Sequence, residues 1–165
     1  MKTRNIALVG LFTSLAIVFN LVEGALPMPL PGVKLGAANV FALAALVLMG
    51  AKEAFFVTTL RVVLSWLLTG NWFAFLCSLA GGLLATAVMA LLYHKFREDF
   101  SLPWVSVAGA WAFNAGQLAV AVWLVGDVRV AWYILPLMIA GTVAGWAVGL
   151  LADMLCKRLS GTTKG

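Results

Sequence analysis

The chain has 165 residues, of which 64% are hydrophobic and only 10% charged. Its mean hydropathy is +1.05. Soluble domains carry about 25% charged residues, so too little polar surface is present here for a globule in water. The apolar runs are longer than strands need, and they lack the alternation of a transmembrane barrel. The composition predicts an all-α, polytopic integral membrane protein forming a single domain over 1–165.

The net charge is +5 and the pI is about 9.6. No run of basic residues is present, and the basic residues sit in short loops. They read as topology signals rather than as a nucleic-acid surface. Cys77 and Cys156 have no metal-ligand spacing. No metal and no cofactor are expected.

Six spans are predicted, the first over 6–22, behind Lys2 and Arg4. A basic start before an apolar core also suits a secretory signal, but no clean small-x-small site follows, so a retained helix is expected. Gly10 and Ser14 share one face of it. Small residues on one face allow close helix approach in lipid, which makes this pair a candidate partner-docking face.

A Pro-rich loop over 23–34 follows, in which Pro27, Pro29 and Pro31 prevent a helix. It leads into a polar stretch with Lys34, Gly36 and Asn39. The second span, 35–49, is short, so its start is expected at depth rather than at the surface. Span three covers 54–68 and contains Arg61, span four covers 72–93, and span five covers 103–125 with Asn114 and Gln117. Span six covers 130–155, where Gly141, Gly145 and Gly149 form a second close-packing face. A flexible cytoplasmic tail is expected over 157–165.

An even span count puts both termini on one side. On that side lie Lys2, Arg4, Lys52, Lys95, Arg97, Lys157, Arg158 and Lys164; opposite lie only Lys34 and Arg129. Lys and Arg in short loops stay in the cytoplasm. Both termini are therefore expected in the cytoplasm of a prokaryotic cell, with the chain multi-pass in the cell membrane and the Pro-rich loop facing outward. Trp72, Trp104 and Trp132 fall at span edges, where indoles favour the lipid interface.

Arg61 is the most informative residue. A charge at mid-span costs about 2.5–3.5 kcal/mol on insertion scales. It should face the bundle interior and find an anion, either Glu23 or a bound ligand. Asn114 and Gln117 lie on one face of span five, and lipid cannot satisfy their amides. Interhelical hydrogen bonding is one reading of them; a binding site is the other. Glu23, Lys34, Asn39, Arg61, Asn114 and Gln117 all fall in the outer half or middle of their spans. That convergence makes them the candidate substrate-binding set. Lys34 and Arg61 outnumber Glu23 by one charge, which favours a polar or anionic small molecule. Ser65 and Ser78 are possible additions, although a lone helical serine is usually bonded to its own turn.

No catalytic set is visible. His94, the single histidine, stands in a loop beside Lys95. No phosphate-binding Gly-rich loop with Lys and Ser/Thr occurs, so ATP hydrolysis by that route is excluded. No paired-Asp motif is available to hold magnesium on a diphosphate. The chain is not expected to be an enzyme, and uphill movement of a ligand would draw its energy from a partner.

Several stretches together resemble a known family. These are P-G-x-K-L-G-x-x-N at 31–39, K-E-A at 52–54, L-R-V at 60–62, S-L-A-G at 78–81, F-N-x-G-Q at 113–117 and Y-x-L-P at 133–136. They are similar to the small membrane family called the Gx transporter family, also labelled heptaprenyl diphosphate synthase component I. Phe113 departs from the pattern, which has histidine there. The resemblance implies similarity to the substrate-binding (S) components of energy-coupling factor transporters. Those have six helices, bind a vitamin-like compound from outside, and dock on a transmembrane scaffold subunit carrying two ATPases. Their first helix docks through small residues, which Gly10 and Ser14 approximate, and the loop after it closes over the ligand. The older label implies instead a membrane accessory subunit of a prenyl diphosphate synthase or a quinone pathway, without transport.

Overall fold

The computed structural model describes residues 3–25, 36–96 and 101–161. These residues are 92% helical, and no strand occurs among them. The order is α1 (Thr3–Ala25), α2 (Asn39–Leu48), α3 (Ala51–Thr69), α4 (Trp72–Lys95), α5 (Leu102–Val125), a 3-10 turn pair (Val128–Tyr133) and α6 (Ile134–Gly161).

Four segments are long and apolar enough to cross a membrane: Arg4–Ala25, Trp72–Lys95, Leu102–Val125 and Val128–Leu159. The other two expected spans differ for physical reasons. Helix α2 has 10 residues, about 15 Å at 1.5 Å per residue, against a hydrocarbon core of about 30 Å. Helix α3 has 19 residues but carries Lys52, Glu53 and Arg61.

Boundaries also move. Glu23 to Ala25, expected at the start of the loop, close α1, and residues 26–34 of that loop lie outside the described residues. Span six divides into the 3-10 segment and α6. Asp127 opens the former by accepting from the Arg129 amide at 2.8 Å. Pro136 falls in the first turn of α6, where its missing N–H breaks no helical bond. At the other end α6 continues to Gly161, which draws 157–161 of the expected tail into the helix.

The turn between α3 and α4 is set by Gly70, in the left-handed region at φ 66, where α3 ends. Asn71 then caps α4 by accepting from the Ala74 amide at 2.9 Å.

Helix α2 is the centre of the packing. Residues Asn39 to Leu46 are all buried, and α2 touches each of the other five helices. Phe41 anchors it against α1, with ring centroids 6.3 Å from Phe12 and 5.3 Å from Phe19. Among the described residues α1 and α6 do not meet; α2 lies between them. The outer face of the bundle is apolar: Ile6, Leu11 and Val18 of α1 and Ile139, Val143 and Met154 of α6 are exposed. A water-soluble monomer does not leave so large an apolar surface bare. Trp72, Trp104 and Trp132 are exposed as well.

The glycine face of α6 packs within the chain. A Cβ on Gly145 would lie 2.9 Å from Val107 Cα, and one on Gly149 would overlap Pro103. This face brings α6 backbone-to-backbone with α5 and is not free for another protein. Gly10 of α1 is the opposite case, with nothing within 4 Å of the Cβ position. Gly145→Leu should therefore lower the thermal unfolding midpoint in detergent, at a cost of about 1–3 kcal/mol from overpacking. Gly10→Ala should leave that midpoint within about 0.5 kcal/mol of the parent. Equal effects at the two positions would contradict the packing described.

Candidate functional site

Arg61 sits halfway along α3 and is 3% exposed. Asn39 is the first residue of α2 and is 4% exposed. The turn at residues 49–50 folds α2 back along α3 and brings the two together. Arg61 Nη2 donates to Asn39 Oδ1 at 2.5 Å, a charge-assisted bond within an apolar bundle.

Two glycines make room for this contact. Gly36 adopts φ +84, a conformation that L side chains rarely take, and a Cβ there would lie 2.9 Å from Asn39 Nδ2. Gly82 of α4 lies across from the guanidinium, where a Cβ would stand 3.4 Å from Arg61 Nη2. Phe113, the departure from the family pattern, is buried against Gly36 and Gly81. It walls one side of the contact with a ring that has no hydrogen-bonding group.

Glu23 is buried near the end of α1. Its Oε1 accepts from the Ala37 amide at 3.0 Å and so clamps the chain just before α2. Glu23 acts electrostatically on Arg61, but the described ion pairs include none between them. Glu23 and Arg61 therefore both border the start of α2, in separate roles.

Arg61 lies eight residues before Thr69, the end of α3. At 1.5 Å per residue, the start of α2 is about 12 Å below that end of the bundle. Between α1, α3 and α4 on this side is a small polar recess, water-sized at most, bordered by Asn20, Ser65, Trp66, Thr69, Asn71 and Ser78. Asn20 Nδ2 donates to Ser65 Oγ at 3.1 Å. Polar side chains thus descend α3 from Thr69 through Ser65 to Arg61, on one helical face. Ser65 and Ser78 gain weight here, because the recess brings together serines that a single helix presents as isolated. The spacing of Thr58, Arg61, Ser65 and Thr69 was the sequence signal for this face.

Asn114 and Gln117 occupy a different place. Both are fully buried. Asn114 Nδ2 donates to the Leu137 carbonyl of α6 at 2.7 Å, and Gln117 Nε2 donates to Asn114 Oδ1 at 2.9 Å. Gly141 leaves the space this amide needs: a Cβ there would stand 2.5 Å from Asn114 Nδ2. These bonds make the pair interhelical glue in the α5–α6 seam. Lys34 lies outside the described residues. Gly10 and Ser14 remain on the exposed face of α1, with Ser14 Oγ donating to the Gly10 carbonyl at 2.9 Å. Among the described residues, no three His, Cys, Asp or Glu side chains gather where a metal ion could be held.

A sequence profile of the family described as Heptaprenyl diphosphate synthase component I matches residues 12–155. The chain belongs to this family. No curated protein matches it, and no solved structure does.

Asn114→Ala should destabilise the chain by about 1–3 kcal/mol, because it strands buried partners on both helices. Gly141→Ala should also destabilise it, by pushing on the same amide. Combined, the two changes should cost less than their sum in a thermal unfolding cycle, since the small side chain at 114 relieves the clash. Strict additivity would mean that the amide does not cross α6 at Gly141.

Proposed function

We propose that this member of the heptaprenyl diphosphate synthase component I family is the substrate-binding membrane component of an energy-coupling-factor-type uptake transporter. All six helices lie in the bilayer, with both termini cytoplasmic and α2 immersed at half depth. The α3 C-terminal end then faces outward, and a polar or anionic small molecule enters from there. One observation carries the reading: α2 begins halfway down the bundle, beneath a polar recess, with a buried arginine at its start. Each polar group in hydrocarbon costs free energy unless it is satisfied, and a mid-depth arginine beneath a polar recess gives a ligand a partner there.

The charge asymmetry of the sequence assigns Lys34 and the Pro-rich loop to the outward side, from which the ligand enters. The chain has no phosphate-binding loop of its own, so the partner is a transmembrane scaffold subunit with two ATPases. Docking uses α1, whose Gly10 and Ser14 face is exposed, because the glycines of α6 are already packed on α5. A second reading is favoured by the family's description: a membrane accessory subunit of a prenyl diphosphate synthase, without transport. A diphosphate would also suit the buried Arg61 beneath the recess. In neither reading does the chain itself perform catalysis.

The test is recovery of the tagged chain from its native host in mild detergent, with partners identified by mass spectrometry. A membrane scaffold with two ATPases is the expected result, and Gly10→Leu should lose it while the chain still folds. Recovery of a soluble prenyl synthase instead would sink the transporter reading in favour of the second.

A further inference from the structure

Arg61 and Asn39 are bonded to each other, yet each keeps a buried donor that meets no acceptor: Arg61 Nε and Asn39 Nδ2. Both side chains are more than nine-tenths buried. Native structures leave few such atoms, because a stranded buried donor costs about 1–3 kcal/mol and more when charged. Finding two on one bonded pair calls for a common cause. Glu23 does not remove them: its Oε1 accepts from the Ala37 amide, and no bond or ion pair joins its carboxylate to either donor. What the pair lacks is specific: it offers N–H groups only, so its partner must present lone pairs. The guanidinium is a fixed positive charge, and a contact anion offsets the cost of burying it. Asn39 is also the first residue of α2, where the helix dipole adds partial positive charge.

We infer that Arg61 and Asn39 form a recognition point for an oxyanion, a carboxylate or a phosphate, carried by the ligand. Arg61 supplies the charge and a guanidinium N–H. Asn39 supplies an amide N–H while its Oδ1 holds the guanidinium in place. Gly36 and Gly82 pack so close to the pair that a side chain at either would press on it, and Glu23 sets the position of the α2 start from the other side. This rests on the reading that the chain binds a small molecule, and it adds the chemical group by which the molecule is held. It does not depend on which partner the chain docks with.

The probes are sodium acetate and inorganic phosphate, exchanged for chloride at fixed ionic strength and pH. The readout is thermal unfolding of the purified full chain in detergent, followed by tryptophan fluorescence. In the parent, at least one anion should raise the midpoint in a saturable way, by roughly 3–6 °C at ten times its dissociation constant. A larger effect of acetate assigns a carboxylate, and a larger effect of phosphate assigns a phosphate. Asn39→Asp should abolish the effect, because its own carboxylate then sits on the guanidinium; its midpoint without added anion should equal or exceed the parent's. Asn39→Ala, which keeps the guanidinium but removes both the amide donor and the Oδ1 that holds it, should need at least about tenfold more anion for the same rise. No rise with either anion in the parent overturns the inference, and so does a full rise retained in Asn39→Asp. The transporter reading fails separately. A chain that responds to acetate but recovers no ATPase module keeps the oxyanion point. A chain that recovers the module but ignores both anions loses only that point.

Discussion

The structure depends on what a guanidinium requires inside an apolar bundle. Arg61 cannot reach water from the middle of α3, so an acceptor has to be brought to it. That acceptor is Asn39, and Asn39 opens α2. Joined across a tight turn, the two residues place the start of α2 at Arg61's level. Its 10 residues are thus tied to the arginine's position rather than to bilayer thickness. The half-height of α2 in turn leaves the recess lined by Asn20, Ser65 and Ser78. Glycines 36 and 82 belong to the same constraint, since a side chain at either would crowd the Arg61–Asn39 pair. Glu23 completes it from α1 by holding the Ala37 amide.

The remaining helices solve a different problem. In lipid no hydrophobic force separates helix contacts from lipid contacts, so close backbone approach and interhelical bonds carry the packing. The α5–α6 seam uses both. Gly145 and Gly149 let α6 lie on the α5 backbone, and Asn114 reaches across to the Leu137 carbonyl at the site that Gly141 leaves open. This seam is closely packed and internal. Helix α1 is held on one side only, by α2 and α3, and its other side shows small and apolar residues outward. A fixed core next to a one-sided helix suits a protein that holds a ligand in one part and meets a partner with another.

The family's description and the transporter reading ask similar things of the recess. A polar ligand drawn in from outside and a diphosphate headgroup both present lone pairs and negative charge. The donor-only chemistry of Arg61 and Asn39 fits either, so the ligand's charge and the identity of the partner are separate questions. Phe113 narrows the chemistry, because the wall beside Asn39 is an aromatic ring and contributes no proton donor or acceptor.

Composition by itself pointed to the class. So few charges in so apolar a chain predict helices of membrane-crossing type, and the described residues are all-helical with four segments long and apolar enough to cross a membrane. A single arginine at mid-span marks the interior face of α3 wherever the other helices lie. The local reading of a short second segment starting at depth also followed from sequence, because the prolines before it and the turn after it bound its length. The tertiary structure alone decided which polar residues belong together. Asn39, Asn114 and Gln117 look alike in a sequence, each an amide in an apolar span. Whether an amide bonds a neighbouring backbone or stands beside a charge depends on the rotation and depth of helices that are far apart in the chain. Packing sent Asn114 and Gln117 to the α5–α6 seam and Asn39 to Arg61. It brought Ser65 and Ser78 to one recess, which no helical period within a single segment encodes.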